Sequence, residues 1–188
     1  MTVSEWIEQY RKQSDGRFET FKKALELLND LKGTNIVETG TTRLENDWGG
    51  GMSTYLFGEY CRIFGGHLTT VDISVTNIII AQKVTRDSRE FIDYIINDSH
   101  AFLSLYDKPI DLLYLDSMDF PIDGSDPIPC QEHQLKELLL AEKNLKTTSL
   151  ILLDDNQFIG GGKTKLTKEY LEKNGRHEVL GGQQSLWV

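Results

Sequence analysis

Asn35-Ile36-Val37-Glu38-Thr39-Gly40 is a short β-rich apolar run that ends in an acid and a glycine, and later runs repeat its form. Leu68 to Asp72, Phe91 to Asn97, Ile110 to Asp116 and Ser149 to Asp154 are likewise strand-like and bounded by Gly, Asp and Asn. Segments of helical length and spacing separate them: Ser53 to Ile63, Val75 to Val84, Ser99 to Leu105 and Gln131 to Leu145. This alternation predicts an α/β fold, a doubly wound, mostly parallel sheet covered by helices. The Gln131 to Leu145 segment places Leu135, Leu138, Leu139 and Leu145 on a core face, with Glu137, Lys143 and Lys146 elsewhere. Lys165 to Asn174 adds a last helix, stopped by Gly175. His177 to Leu180 and Ser185 to Val188, around Gly181-Gly182, read as a C-terminal antiparallel hairpin that completes a seven-stranded sheet.

Outward from this core, Ser4 to Leu31 carries Trp6, Ile7, Tyr10, Phe18, Phe21, Leu25, Leu28 and Leu31 at the spacing of an amphipathic helix. Ser14-Asp15-Gly16 predicts a break that divides it in two. At 188 residues the expectation is a single domain, with 1–33 as an N-terminal helical segment and 34–188 as the α/β core. Trp6, Tyr10, Phe18 and Phe21 have three readings: plain core packing, a lid over a pocket, or a homodimer surface. The chain has 20 Lys+Arg against 29 Asp+Glu, and its net charge of −9 repels nucleic-acid phosphates and anionic membranes, with no basic patch to offset it. The expected partner is therefore a small molecule, with no nucleic acid and no membrane. Cys61 and Cys130 match no metal or redox spacing. Met1 to Tyr10 lacks the apolar run of a secretory signal, and no stretch reaches the ~18 apolar residues of a span, which reads as cytoplasmic.

Open parallel sheets bind ligands beyond the carboxyl ends of their strands. Those ends here carry Glu38-Thr39-Gly40, Asp72, Asp98-Ser99, Asp116 and Asp154-Asp155-Asn156. Gly40 suits a tight turn that lets a ligand approach the backbone, and Gly49 to Gly51 open the next helix, where Ser53 can direct a hydroxyl and free amides at an anion. The dinucleotide fingerprint is missing: Thr41, Thr42 and Arg43 follow Gly40, and the next strand-end acid lies 32 residues on instead of about 20, which argues against a nicotinamide cofactor. Gly160-Gly161-Gly162-Lys163-Thr164 approaches a phosphate loop, but Gln157 stands where that motif needs glycine, and the segment reads as a flexible loop into a helix. Asp72 can accept both hydroxyls of a ribose, or serve as a turn aspartate or helix cap; Asp98-Ser99 can face an adenine edge, or cap the helix that begins at His100. Their joint placement at successive strand ends points to a nucleoside.

These residues resemble the class I S-adenosylmethionine-dependent methyltransferases. Ile36 to Gly40 looks like that family's first motif, Val71-Asp72 like its ribose-binding acid, and Asn97-Asp98-Ser99 like its adenine contact. The resemblance spans roughly Asn35 to Val188. It implies a Rossmann-like methyltransferase fold and an S-adenosylmethionine cofactor held by Glu38, Gly40, Ser53, Asp72, Asp98, Ser99 and Asp116. Leu113 to Asp116 and Leu152 to Asn156 are further similar to stretches of the metal-dependent O-methyltransferases, the catechol type among them. Carried over, the ligands of a divalent cation would be Asp116, Asp155 and Asn156, a donor set suited to Mg²⁺. A solvated acidic rim is the alternative.

The catechol-type enzymes have a lysine just after the fourth-strand aspartate, where this chain has Ser117, Met118 and Asp119, and this departure leaves the substrate open. Asp116-Ser117, Gln131-Glu132-His133 and Gly161-Gly162-Lys163 look more like small bacterial methyltransferases, some of whose wider relatives methylate sugar hydroxyls. The implied reaction is methyl transfer to a small-molecule hydroxyl oriented by the metal, with Asp119, His133 or His100 as general base and Asp119 nearest in sequence to the implied metal. Alternatives are a metal-independent methyltransferase, a non-catalytic module that binds the same nucleoside, and a nucleotide-phosphate binder using Gly160 to Lys163. The loops Thr41 to Met52, with Trp48, and Ser117 to Cys130 are expected to shape the acceptor pocket.

Overall fold

A computed structural model describes residues 1–49 and 52–188. β1 (Asn35–Thr39), β2 (His67–Asp72), β3 (Ile92–Ile96), β4 (Ile110–Leu115) and β5 (Leu145–Leu153) run parallel, and β6 (Glu178–Gly181) and β7 (Ser185–Trp187) form the expected hairpin. The seven strands lie in the order β3-β2-β1-β4-β5-β7-β6, with β7 antiparallel to both neighbours, so the sheet is mixed at one edge. Strand order reverses between β1 and β4, which leaves a crevice beyond their carboxyl ends. There the Asp116 amide donates to Thr39 O and the Gly40 amide to Val71 O, both at 2.9 Å, tying the ends of β1, β2 and β4 into one line.

α4 (Ser53–Phe64), α5 (Val75–Val84), α6 (Ser99–Leu105), α7 (Ile128–Ala141) and α8 (Lys165–Lys173) follow β1 to β5 in turn. Alternation along the strands sends Ile36, Leu112, Tyr114, Leu150 and Leu152 into one core, and Val37, Leu113, Leu115, Ile151 and Leu153 into the other. The first core is filled by α1 (Val3–Ile7), α3 (Phe18–Asp30) and α4, the second by α6, α7 and α8 through Leu103, Leu138, Ala141 and Leu171. Trp6, Tyr10, Phe18 and Phe21 are all buried in the first core, so of their three readings the structure shows plain packing. The break in the N-terminal segment falls where expected: α2 (Arg11–Ser14) stops, Asp15 takes φ +36°, and a single 3₁₀ turn leads into α3. Among the described residues no helix is long and apolar enough to cross a membrane.

Two expectations need correction. α7 starts earlier, at Ile128, with Pro129 in its first turn where no intrahelical bond is lost. It ends at Ala141, and after the turn Glu142–Asn144 the chain enters β5 at Leu145, so Leu145 belongs to the strand. Its buried face is Gln131, Gln134, Glu137, Leu138 and Ala141, while Leu139 is exposed. Glu137 turns inward because the Ser117 hydroxyl donates to its carboxylate at 2.7 Å and His133 lies beside it.

Arg17, buried between α2 and α3, docks the N-terminal segment onto the sheet. Its Nε donates to Asp154 Oδ2 at 2.8 Å and Oδ1 at 3.1 Å, and its NH1 to Gly49 O at 2.9 Å. Asp154, at the end of β5, has no solvent access, and removing one partner of such a pair leaves a buried charge uncompensated. Arg17→Met is expected to cost about 3–5 kcal/mol of unfolding free energy in denaturant titration. A loss below about 1 kcal/mol would show that water or another group replaces the guanidinium.

Candidate functional site

Two adjoining cavities occupy the crevice over β1 to β4. The larger, about 200 Å³, is lined by Gly40, Asp72, Asn97, Asp98, Ser99 and His133, with Ile73 and Met118 among its apolar wall residues. The smaller, about 150 Å³, shares Gly40, Asp72, Ile73 and Ser117 with it and adds Arg43, Ser53 and Asp116. Gly40 has φ +79°, and a Cβ there would stand 2.3 Å from Asp116 O, so only glycine permits this approach of β1 to β4. Asp72 is pre-oriented: its Oδ1 accepts from Ser74 N at 2.7 Å, and its Oδ2 from Thr41 N at 3.2 Å and Asn77 Nδ2 at 3.1 Å. A carboxylate has about four acceptor sites, so capacity remains for a ligand hydroxyl. Asp98 caps α6, its Oδ1 accepting from Ala101 N at 2.9 Å, while also bordering the larger cavity.

Glu38 lines neither cavity. It lies fully buried beneath the loop after β1, where Thr70 Oγ1 (2.7 Å) and Thr54 Oγ1 (2.8 Å) donate to its Oε2. Thr54 Oγ1 in turn accepts from Thr42 N at 3.0 Å and meets Thr41 Oγ1 at 3.0 Å. Glu38 therefore shapes the Gly40 to Thr42 turn from below. Ser53, the first residue of α4, borders the smaller cavity, whereas Gly50 and Gly51 lie outside the described residues.

The strand-end acids of β4 and β5 meet a cation from this chain. Lys163 Nζ donates to Asp116 Oδ1 at 2.8 Å and lies 3.3 Å from Asp155 Oδ2. Burial works against its charge, but Asp116, Asp155 and Asp154 outweigh that and hold its pKa above the ordinary lysine value. Tyr114 donates its hydroxyl to Asp154, and Gln184 Nε2 bonds the same hydroxyl at 3.1 Å. The three residues that the resemblance assigned to a divalent cation thus do not form an open oxygen cluster. Asp116 and Asp155 face the ammonium. Asn156 turns aside, its Oδ1 accepting from Thr164 Oγ1 at 2.9 Å and Lys168 Nζ at 3.1 Å, its Nδ2 donating to Gly182 O at 2.8 Å. No group of three His, Cys, Asp or Glu among the described residues could hold a metal ion. The residues present do not fit that cation.

Nor does the Gly160 to Lys163 segment form a plain loop. All three glycines have positive φ, and they fold the chain back so that Lys163 is buried. The sequence reading places Lys163 in a candidate phosphate loop and not between the acids; a lysine beside three glycines, in a chain whose strand ends are crowded with acids, is the signal for that pairing. Ile73 and Met118 are missed, since sequence alone does not reveal which apolar residues remain exposed.

The proposed bases separate. Asp119 lies on an exposed loop, 2.6 Å from Arg43 NH1. His133 borders the larger cavity, its Nε2 2.9 Å from Ser117 Oγ and 3.3 Å from Ser99 Oγ. Because Ser117 Oγ donates to Glu137, it accepts from His133, which assigns the proton to Nε2 and leaves Nδ1 as the ring atom that can take one. Burial raises the pKa of Glu137, yet hydrogen bonds from His133, Ser99 and Ser117 hold it below the ordinary value. His100 lies against His133 with ring centroids 4.1 Å apart and the rings tilted by 33°, and its Nε2 lies 3.1 Å from His133 O. Phe120 and Phe158, from the loops after β4 and β5, stack on each other at 4.6 Å, and Trp48 stacks on Tyr10 at 5.5 Å.

Burial raises the pKa of Glu38 to about 7 against the opposing hydrogen bonds of Ser53, Thr70 and Thr54. Between its ordinary 4.5 and about 7 the folded state therefore binds more protons than the unfolded state, and stability falls as pH rises through that window. Glu38→Gln, which cannot ionise, is expected to remove this contribution, so that denaturation midpoints of variant minus wild type climb across the window. Parallel curves would show that Glu38 is ionised throughout.

No family model matches the sequence, and no curated protein matches it. Among solved structures, the Podospora anserina methyltransferase PaMTH1 bound to SAH superimposes with a TM-score of 0.65 at 13% identity, over 98% of this chain and 85% of that one. The Streptococcus mutans protein SMU.1697c in complex with SAH gives 0.58 at 10% identity, over 89% of this chain and 96% of that one. A ribosomal protein L11 methylase from Lactobacillus delbrueckii subsp. bulgaricus gives 0.54 at 12% identity, over 92% and 78%. At these identities the likeness is one of fold: this chain has the seven-stranded, Rossmann-like architecture of those methyltransferases.

Proposed function

We propose that this protein is an S-adenosylmethionine-dependent methyltransferase acting on a hydroxyl of a small molecule. The observation that carries the reading is the crevice at the β1/β4 switch, where Gly40, the pre-oriented Asp72 and the Asn97 to Ser99 edge surround a cavity walled by Ile73 and Met118. Two of the proteins with this fold were solved with SAH. S-adenosylmethionine supplies, when bound, an electrophilic methyl group on a sulfonium.

Asp72 accepts the ribose hydroxyls. Asn97, Asp98 and Ser99 border the adenine edge, and Ile73, 73% exposed, gains cover from the flat base. Glu38 and Gly40 hold the turn that keeps this space open. Small cavities and a net charge of −9 favour a small acceptor over a nucleic acid. Asp116 borders the smaller cavity as an acceptor-only group, which suits a hydroxyl. His133 takes the proton of the attacking hydroxyl at Nδ1, its ring oriented by Ser117 and Glu137; Asp119 is already occupied by Arg43. Metal-assisted deprotonation, the other reading, would require Asp116 and Asp155 to release Lys163.

Calorimetric titration of S-adenosylmethionine is expected to show saturable one-site binding, weakened about tenfold or more in Asp72→Ala and not competed by ATP, since loss of a charged hydrogen-bond acceptor costs about 1.5–3 kcal/mol. Absence of binding would end the methyltransferase reading. In a screen of hydroxylated small molecules read by S-adenosylhomocysteine release, His133→Asn is expected to lower turnover by about 10²–10⁴ and to abolish the acidic limb of the pH profile, with Asp119→Asn near wild type. An unchanged profile in His133→Asn would move the base elsewhere.

A further inference from the structure

Lys163 is 1% exposed, while Asp116 and Asp155 keep 21% and 15% of their side-chain surface. The ammonium therefore lies behind the two carboxyl groups, whose other oxygens meet the Tyr114 hydroxyl, 3.3 Å from Asp116 Oδ2, and Arg17 NH2, 4.0 Å from Asp155 Oδ1. Its position is built into the backbone. Lys163 N donates to Asp155 O at 3.0 Å, and a Cβ at Gly162 would stand 2.0 Å from the same oxygen, so glycine alone lets the loop close there. Asp155 itself has φ +61°, the left-handed conformation that turns its side chain relative to the strand before it. An ammonium and a metal ion between the same two carboxylates exclude each other by space and by charge.

We propose that Lys163 is the permanent cation of this site: its ammonium takes the place between Asp116 and Asp155 that a divalent ion would hold, so the protein binds no such ion there and presents the carboxyl group of Asp116, which borders the smaller cavity, directly to acceptor hydroxyls. Lys163 is a positioning residue, since it reaches the outside only through the carboxylates it holds. The acceptor clause rests on the methyl-transfer reading; the cation clause does not.

The test uses Mn²⁺ alone, without cofactor or acceptor, so failure of the methyl-transfer reading would leave it unaffected. Calorimetric titration of the wild-type protein is expected to show no saturable site at millimolar Mn²⁺. Lys163→Ala opens the space and removes the charge, and is expected to gain one site at least tenfold tighter than any wild-type binding, absent from Lys163→Ala/Asp155→Asn. The same variant is expected to melt below wild type and to recover part of the difference in Mn²⁺, whereas wild type and the double variant do not respond. If Lys163→Ala folds only in Mn²⁺, by circular dichroism, that also supports the proposal. A one-site wild-type isotherm abolished by Asp155→Asn overturns it, as does a Lys163→Ala protein that gains neither binding nor stability from the ion.

Discussion

A carboxylate with no access to solvent is tolerated only where charged partners reach it, and Asp154 at the end of β5 is such a group. Its partners come from three different parts of the chain. Arg17 arrives from the N-terminal helices, Tyr114 from β4, and Gln184 from the hairpin. Burial opposes the charge of Asp154, but Arg17 and then Lys163 outweigh it and hold its pKa below the ordinary value. Thr20 extends the link, donating from α3 to Gln184 Oε1 at 2.6 Å. The acidic end of the site is thus part of what closes the core: the same contacts dock the N-terminal segment, seat the antiparallel strand and fix the loop that carries Lys163.

The side of the crevice over β1 and β2 rests on a different constraint. Its shape comes from topology and backbone: the reversal of strand order at β1/β4, a left-handed Gly40, and a turn tied from beneath by Glu38 through Thr54 and Thr70. Charge enters at Asp72, Asp98 and Arg43, and the carboxylate of Asp72 is already oriented by two backbone amides and Asn77. Preorganisation of this kind lowers the ordering cost of binding a sugar. One side of the site is built from hydrogen-bonded backbone, the other from buried ions, and Asp116 and Ser117 at the end of β4 join them.

Why the strands were legible in the sequence and the buried ions were not follows from what periodicity measures. Asn35–Thr39, Val75–Val84 and Ser99–Leu105 fall on the residues expected, because apolar spacing and flanking turn residues are local signals. Arg17, Glu137 and Lys163 defeat the same reasoning. Pattern places charge on the solvent face and does not register the partners that permit burial on other elements: Asp154 is 137 residues from Arg17, Asp116 47 from Lys163 and Ser117 20 from Glu137. The metal trio rests on the resemblance of two strand-end stretches to the metal-dependent O-methyltransferases. Whether its side chains converge depends on the left-handed turn at Asp155 and on the three glycines that bring Lys163 back, and residue types alone do not state these directions.

An ammonium in place of a divalent ion changes what the site must do for itself. Lys163 can donate hydrogen bonds to Asp116 and Asp155, but it has no coordination position to offer an acceptor oxygen and cannot lower that oxygen's pKa by direct ligation. The work of removing a proton then falls on a side chain. On the proposed reaction that side chain is His133, which borders the crevice and is held by the buried Glu137 through Ser117 and directly at 3.5 Å from Nε2. A glutamate buried in α7 beside the crevice and a lysine buried beneath the acids of β4 and β5 are therefore complementary features: one orients His133 through Ser117, the other supplies the positive charge between Asp116 and Asp155 that a metal would have brought.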